Sequence, residues 1–414
     1  MKTKTLRTTT FAILSAGLLA CAGHSGDASN ASDTTPPASP ESRFDAESLR
    51  EHVRTLASDR FGGRQPGTEG ERLTVDYLAS AFEAAGLSPG NAGAWTQDVP
   101  FVAITTEGTP TLRIDGPDGS ASPAIPADAV IGSRTGRTRV EVEAAPLLFA
   151  GYGVVAPDVG WDDYAGVDAS GKAVIVLVND PGFGSGDPDR FKGREMTYYG
   201  RWTYKYEECA RQGAAACLIV HETEAAGYGF GVVQSSFGAR TQFELDRVDA
   251  GPATPVVGWL STEAARDLFA RAGQDFDALR ARAAMPGFQA EPLVGLSLDA
   301  RVDSRVERGV SQNVVGTLAG RERPEEWVVV TAHWDHLGSV PNDDGGVDVY
   351  NGAIDNAGGL AAMIEIARAL VADGGTARSV MFLAVTLEES GLLGARHYVA
   401  NPLQPLAATV ANVN

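Results

Sequence analysis

The feature that most constrains the fold is an alternation of apolar runs and amphipathic segments late in the sequence. Residues 327–332 and 380–385 are near-continuous apolar runs, which predicts strands buried on both faces. Between them, residues 356–372 carry apolar side chains at the i, i+3, i+4 spacing of a helix. A helix over 392–399 and a third strand over 406–413 follow. Helices between strands require crossover connections, so we predict an α/β fold with a mixed, largely parallel central sheet flanked by helices.

Polar residues that precede apolar faces predict where three helices begin. Asp45 precedes one helix, and Thr68 followed by Glu71 forms the sequence pattern of a capping box before a second. Ser390 is the predicted cap of the helix over 392–399. The first two helices are expected to cover the sheet that is built later in the sequence.

Length and charge limit the kind of protein. A chain of 414 residues is too long for one simple core, which favours two domains. The formal net charge of −19 argues against binding nucleic acid, and against charge-driven binding to an anionic membrane. The charge says little about the substrate, because an acidic surface usually serves only to keep a protein soluble.

The N-terminal segment has the composition of a targeting signal. Basic residues precede the apolar run 11–20, which is too short to span a bilayer, so residues 1–20 are predicted to be an export signal. The run ends at Cys21 and resembles a bacterial lipoprotein signal, in which Cys21 carries the lipid; plain secretion and an incidental cysteine are the alternatives. Residues 21–43 predict a flexible linker. We expect an exported protein, either a periplasmic or outer-membrane lipoprotein that meets the membrane only through this anchor, or a secreted one.

A distinct unit of strands and short helices is predicted over residues 143–292, after short alternating strands over 96–142. It contains Cys209 and Cys217, which are either a disulfide in an oxidising compartment or two buried thiols. Its histidine, His221, is interpreted as a loop residue rather than a metal ligand.

Polar residues cluster where the predicted strands of the last segment end. His333 follows the first buried strand, Glu388 and Glu389 follow the second, and Asp355 precedes the intervening helix. In such sheets ligands gather at the carboxyl ends of the strands, so these side chains should converge. Each carboxylate alone would be read as a helix cap or a solvated turn. Together with one imidazole they are the ligand types of a hydrolytic zinc site.

Residues 44–414 resemble the co-catalytic di-zinc aminopeptidases, the group of bacterial leucyl aminopeptidases, aminopeptidase Y and carboxypeptidase Q. The matching motifs are Gly63-Arg64-Gln-Pro-Gly67-Thr68, His333-Trp-Asp335-His336-Leu-Gly338, Asn351-Gly-Ala-Ile-Asp355-Asn356-Ala-Gly-Gly359 and Glu388-Glu389-Ser-Gly391-Leu-Leu-Gly394-Ala-Arg396. The unit over 143–292 looks like an inserted protease-associated domain. It would divide the peptidase domain into 44–142 and 293–414.

The resemblance implies a role for each site residue. His333 would bind one Zn²⁺, Asp355 would bridge both, and Glu389 would bind the second. Glu388 would act as general base and then as general acid. Asp335 would hydrogen-bond the far nitrogen of His333 and so fix its orientation.

Three further expectations concern this site. The peptide bond between Asp355 and Asn356 is expected to be cis. His336 is interpreted as a supporting or loop residue rather than as an alternative ligand. The family also needs an Asp after the third strand and a later His; the third predicted strand ends at Asn414, so we expect this sequence to be truncated at its C-terminus, with two zinc ions per site in the complete protein.

The function implied is that of an exported zinc metallopeptidase, an aminopeptidase that removes N-terminal residues from peptides. Two alternatives stay open: a catalytically inactive binding protein on the same scaffold, and a carboxypeptidase or dipeptidase of the same family. The sequence does not locate the basic pocket that a carboxypeptidase needs. It also leaves the side-chain preference and the oligomeric state open.

Overall fold

The computed structural model describes residues 43–238, 241–246, 253–342 and 344–414. The predicted export signal, the predicted lipidation site Cys21 and the predicted linker as far as residue 42 lie outside these residues. Within the described part, no helix is both long enough and apolar enough to cross a membrane.

Ten α-helices occur in the described residues. They are α1 Ala46–Leu56, α2 Glu69–Ala84, α3 Pro181–Ser185, α4 Trp202–Arg211, α5 Thr223–Ala226, α6 Phe230–Ser236, α7 Thr262–Arg271, α8 Phe276–Ala283, α9 Gly358–Ala372 and α10 Leu393–Ala400. Short 3-10 turns cover Asp59–Arg64, Pro157–Val159, Arg190–Lys192, Tyr198–Gly200 and Leu406–Ala408, and a π-turn covers Ala353–Ala357.

The strands fall into one large sheet and two small hairpins. They are β1 Ser88–Pro89, β2 Thr96–Gly116, β3 Gly119–Ala121, β4 Ala129–Gly132, β5 Arg139–Phe149, β6 Val155–Ala156, β7 Trp161–Asp162, β8 Ala173–Leu177, β9 Ala216–His221, β10 Gln242–Leu245, β11 Val256–Ser261, β12 Glu291–Leu318, β13 Arg323–His333, β14 Ser339–Pro341, β15 Val347–Val349, β16 Arg378–Val385 and β17 Thr409–Val413.

The large sheet is mixed and its central path is largely parallel, which confirms the predicted fold class. Its order is β17-β13-β16-β12-β5-β8-β9-β11-β4. Strands β17, β13 and β16 are mutually parallel, as are β5, β8, β9 and β11, whereas β12 runs antiparallel to both of its neighbours on this path. The parallel pairing of β13 with β16 sets His333 opposite Val385, so both strands end at the same edge.

Two long strands join the two halves of this sheet. Strand β12 spans 28 residues and β2 spans 21, and they pair in antiparallel fashion from Val314 opposite Thr96 to Ser297 opposite Asp115. Short strands were predicted for the region of β2. The pairing partner lies about two hundred positions away in sequence, so local alternation does not reveal the length of the strand. Phe44–Asn414 forms one compact unit, and the proposed domain boundaries within it stay a prediction.

The part of the sheet that carries the candidate site is covered on both faces. Leu78 and Phe82 of α2 pack with Leu360 and Ile364 of α9 against Phe382 of β16. The opposite face buries Val329 and Met381 beneath Tyr398 of α10. Burial on both faces explains the continuous apolar runs of β13 and β16.

Two of the three predicted helix caps are found. Asp45 accepts hydrogen bonds from the backbone N–H groups of Glu47 and Ser48. Thr68 caps α2, but the Glu71 carboxylate reaches the N–H of Gly67 rather than that of Thr68, which departs from a capping box. The prediction that Ser390 caps a helix is wrong.

Helix α10 starts without a side-chain cap. The residue before it is Leu392, which has a left-handed backbone with φ of 61°. The turn is instead closed through the main chain, because the N–H groups of Gly391 and Leu392 bond to the carbonyl oxygen of Glu388.

The region predicted as an insert contributes its own strands and core. Cys209 and Cys217 form a disulfide between α4 and β9, which resolves the alternatives left open by the sequence. His221 is not a loop residue: it ends β9, is 3% exposed, and packs against Tyr228 and Trp259. Strand β4, which precedes the predicted insert, pairs with β11 inside it.

Candidate metal centre

The predicted site residues converge at one edge of the sheet. His333 is the last residue of β13, and Glu388 and Glu389 come shortly after β16. Asp355 lies in the π-turn that leads into α9. The peptide bond between Asp355 and Asn356 is cis, as expected.

The distances bring an imidazole and carboxylates together. The Nε2 atom of His333 lies 2.9 Å from Oδ1 of Asp355 and 3.7 Å from Oε2 of Glu388. One ligand atom from each of His333, Asp355 and Glu389 lies within 4.8 Å of the others. One neutral imidazole and two carboxylates form a donor set that suits Zn²⁺, so the residues present fit the implied metal.

Asp335 is buried beneath this centre, at 1% exposure, but it acts differently from the prediction. The His333 Nδ1 atom lies 3.0 Å from the backbone oxygen of Asp335, whereas the nearest carboxylate oxygen is 3.8 Å away, which is too long for a hydrogen bond. Asp335 therefore orients the imidazole through its carbonyl group.

The Asp335 carboxylate holds the two glutamates instead. It accepts hydrogen bonds from the backbone N–H of Glu388 at 3.0 Å and of Glu389 at 3.3 Å. Burial raises the pKa of Asp335, while the nearby His333 and the Glu388 N–H lower it. The carboxylate thus fixes the turn that presents both glutamates.

We expect Asp335→Asn to loosen that turn. An amide accepts through one oxygen only, so one of the two N–H donors would face an NH₂ group. Zinc affinity and kcat/KM should each fall by about 10–100-fold, the usual cost of altering a group that supports a ligand. Chelator competition measures the affinity, and Asp344→Asn, an exposed loop change, is the control. Equal affinities in the two variants would contradict this role.

His336 supports Glu389, in line with its interpretation as a non-ligand. Its Nδ1 atom lies 2.6 Å from Oε1 of Glu389, and its backbone N–H donates to the carbonyl of Arg64 at 3.2 Å. One carboxylate oxygen of Glu389 is therefore held by an imidazole. Glu388 has no comparable side-chain clamp among the described residues and is free to face a reacting group.

Glu388 is positioned as a base. Its side chain is 29% exposed, and burial raises the pKa of its carboxyl group, with Glu389 and Asp355 acting in the same direction and His333 and Arg201 opposing them. A carboxylate whose proton affinity is raised is better suited to take a proton from water.

Arg64 holds the loops of the site together, a role that the sequence analysis did not assign to it. Its side chain is completely buried, and burial lowers its pKa to about 10, so it stays charged at neutral pH. The guanidinium donates to five backbone carbonyl groups, those of Trp334 (2.8 Å), Leu56 (2.8 Å), Asn351 (2.7 Å), Gly352 (3.0 Å) and Asp355 (3.4 Å). It thereby ties the turn after His333 to the loop that carries Asp355. The only sequence signal was its place in the Gly63-Arg64 motif.

Arg134 links the turn that carries Glu388 and Glu389 to the region of the predicted insert. Its guanidinium donates to the Ser390 carbonyl at 2.7 Å, forms an ion pair with Glu244, and lies 5.0 Å from the ring centre of Trp202. This turn is therefore anchored at Glu388 and Glu389 by Asp335 and at Ser390 by Arg134.

Fold and site together define a class: an α/β sheet with a candidate zinc centre at the carboxyl ends of its strands. Comparison with known proteins agrees with a candidate zinc centre in this segment. Residues 313–414, the segment that holds all the proposed ligands, match the model of Peptidase family M28.

Individual relatives match over short stretches. A "Probable zinc metalloprotease" of Pyrenophora teres f. teres is 38% identical over 84 residues, which is 20% of this chain and 17% of the fungal protein. "Aminopeptidase NAALADL1" of Mus musculus is 30% identical over 137 residues, or 31% of this chain and 17% of the mouse protein. Each match thus covers about one sixth of the relative's length.

A solved structure is similar over most of the chain. The aminopeptidase from Aneurinibacillus sp. strain AM-1 superimposes with a TM-score of 0.45 and 20% identity, and the alignment covers 87% of this chain and 67% of that protein.

Proposed function

We propose that this protein is a zinc-dependent exopeptidase of the M28 type, an aminopeptidase that removes N-terminal residues from peptides. The observation that supports this most is the convergence of His333, Asp355 and Glu389 with a third, unclamped carboxylate, Glu388, beside them. A purely structural metal site has no use for that extra base.

His333, Asp355 and Glu389 would hold the metal. When bound, zinc supplies Lewis acidity, which lowers the pKa of water and favours negative charge on the scissile carbonyl oxygen. The main-chain carbonyl of Asp335 fixes the His333 ring so that Nε2 faces the centre. His336 restrains Glu389, so this carboxylate keeps its place as a ligand.

Glu388 would carry the protons. Its carboxylate takes a proton from the water that attacks the scissile carbonyl carbon. The same carboxyl group then gives that proton to the departing amine nitrogen as the C–N bond breaks, which returns Glu388 to its starting state. The carboxylates around the centre would also attract the substrate's positively charged α-amine, which favours cleavage next to a free N-terminus.

The location of the protein is a proposal from sequence alone. Residues 1–20 would direct export, with Cys21 as the site of a lipid anchor, and secretion without an anchor as the alternative. An oxidising compartment agrees with the Cys209–Cys217 disulfide.

The experiment for this function compares substrates of the full-length protein. Zinc-loaded protein should hydrolyse leucine p-nitroanilide and should fail on the N-acetylated form, which lacks the free amine. Hydrolysis of the blocked substrate at an equal rate would contradict the aminopeptidase assignment. Absence of any hydrolysis by zinc-loaded protein would contradict the peptidase assignment.

Removing zinc should destabilise the protein, because Asp355, Glu388 and Glu389 would then repel one another around one imidazole. A ligand that binds only the native state at a hundred times its Kd adds about 2.7 kcal/mol of stability. We expect a chelator to lower Tm by about 3 °C, measured by scanning fluorimetry, with recovery on adding Zn²⁺ but not Mg²⁺. In His333→Ala the chelator should have no effect. An unchanged Tm in the unmodified protein would contradict the metal site.

A further inference from the structure

A cavity of about 250 Å³ adjoins the candidate centre and has no role in the mechanism above. Glu388 and Glu389 line one part of it. Most of its other lining residues come from the range 178–259, in which Met196, Tyr228 and Trp259 supply apolar surface. Its volume suits a substrate side chain or a terminal residue next to the scissile bond.

The beginning of helix α4 faces this cavity. Arg201, Trp202 and Thr203 all line it, and α4 starts at Trp202 and runs for ten residues. No side chain caps this helix end in the described residues. The first backbone N–H groups of a helix carry a partial positive charge and favour an anion.

A buried donor without a partner supports the same conclusion independently. Trp259 lines the cavity, has 0% exposure, and its indole Nε1 has no hydrogen-bond partner among the residues described. Thr203 also lines the cavity, and its buried hydroxyl group has no hydrogen-bond partner among the described residues. An indole N–H can only donate, and a buried donor is costly unless it meets an acceptor. The Trp259 N–H is therefore a buried donor that no acceptor among the described residues satisfies.

Arg201 adds a full positive charge. It lines the cavity and forms no ion pair within the described ranges. An unpaired guanidinium is a preferred partner for a carboxylate, which it can bind through two parallel hydrogen bonds.

Building on the proposed peptidase function, we infer that this cavity binds a carboxylate group of the peptide substrate, held by Arg201, the N-terminus of α4 and the indole N–H of Trp259. Glu389 in the same wall is a proposed zinc ligand, so its charge is offset when the metal is bound. Two parts of a peptide offer this chemistry: the side chain of an N-terminal Asp or Glu, and the C-terminal carboxylate of a dipeptide.

Two substrate pairs distinguish these sources. Glutamate p-nitroanilide against glutamine p-nitroanilide tests the side chain, because the pair differs in charge but hardly in size. Alanyl-alanine against its C-terminal amide tests the terminal carboxylate. The anionic member of one pair should show a kcat/KM about tenfold higher, the size of one charged hydrogen-bonded contact. Equal values within both pairs would overturn the inference.

A matched pair of variants assigns the effect to the cavity. Arg201→Gln should reduce the preferred ratio about tenfold. Arg194→Gln is the control, because Arg194 is exposed, pairs with Glu224 at 2.7 Å and does not line the cavity. An unchanged ratio in Arg201→Gln would overturn the inference.

A binding measurement separates this inference from the proposed function. Glutarate titrated calorimetrically into the zinc-loaded protein should bind saturably, about tenfold more weakly in Arg201→Gln, and glutaramide should not bind. Glutarate binding without hydrolysis of any peptide would sink the peptidase function and leave the carboxylate site standing. Hydrolysis of leucine p-nitroanilide without glutarate binding would overturn the carboxylate site and leave the peptidase function standing.

Discussion

Glu388→Gln should reduce kcat for leucine p-nitroanilide by at least about 10³-fold, within the range for loss of a general acid–base group. Glutamine has nearly the same shape but cannot take a proton from water. The side chain is not one of the three proposed ligands, and Asp335 holds its backbone N–H, which the change leaves in place. Zinc content and Tm should therefore stay close to those of the unmodified protein.

Two further variants make this result specific. Glu322→Gln alters an exposed glutamate and should leave kcat unchanged. Glu389→Gln should lose zinc as well as activity, because it removes a ligand. Zinc content by mass spectrometry and initial rates separate the three cases. A Glu388→Gln protein that retains more than about a tenth of the activity would contradict the role of base.

Arg64→Met should cause the largest loss of stability. Methionine fills similar space but donates nothing, so the carbonyl groups of Trp334, Leu56 and Asn351 would lose a buried donor at once. Each buried polar group left unpaired costs about 1–3 kcal/mol, so the free energy of unfolding should fall by about 3–5 kcal/mol. Urea denaturation followed by fluorescence measures the change.

The same variant should weaken the metal site, since Arg64 connects the turn after His333 to the loop of Asp355. Chelator competition should show a lower zinc affinity. Arg64→Lys keeps the charge but cannot reach all these carbonyls and should recover only part of the stability. Arg60→Met, an exposed change a few residues away, is the control. If Arg64→Met were as stable as Arg60→Met, the proposed role of Arg64 would be wrong.

Much of the fold near the site was predictable, because apolar periodicity reports burial directly. Strands β13 and β16 and helix α9 lie within a few residues of the positions that their apolar patterns predict. Once these elements are placed, the parallel sheet brings His333, Asp355 and the two glutamates to one edge. The convergence therefore follows from local patterns and one topological rule.

The supporting contacts were less accessible to sequence reasoning. A carboxylate two residues after His333 was an obvious partner for its ring, yet the backbone conformation of the turn directs the carbonyl oxygen of Asp335 there instead. Arg64 contacts Trp334 across 270 positions of sequence, and charged side chains are rarely buried, so no local pattern assigns this contact. Ser390 looked like a helix cap, but Leu392 at positive φ begins α10 through main-chain bonds.

The central claim is that His333, Asp355 and Glu389 jointly hold zinc with Glu388 beside it. Anomalous diffraction at the zinc edge, from crystals of the full-length protein grown with Zn²⁺, tests it most directly. A peak in contact with His333 Nε2 and with carboxylate oxygens of Asp355 and Glu389 is the expected result. Crystals with zinc bound elsewhere and none among these three residues would contradict the claim.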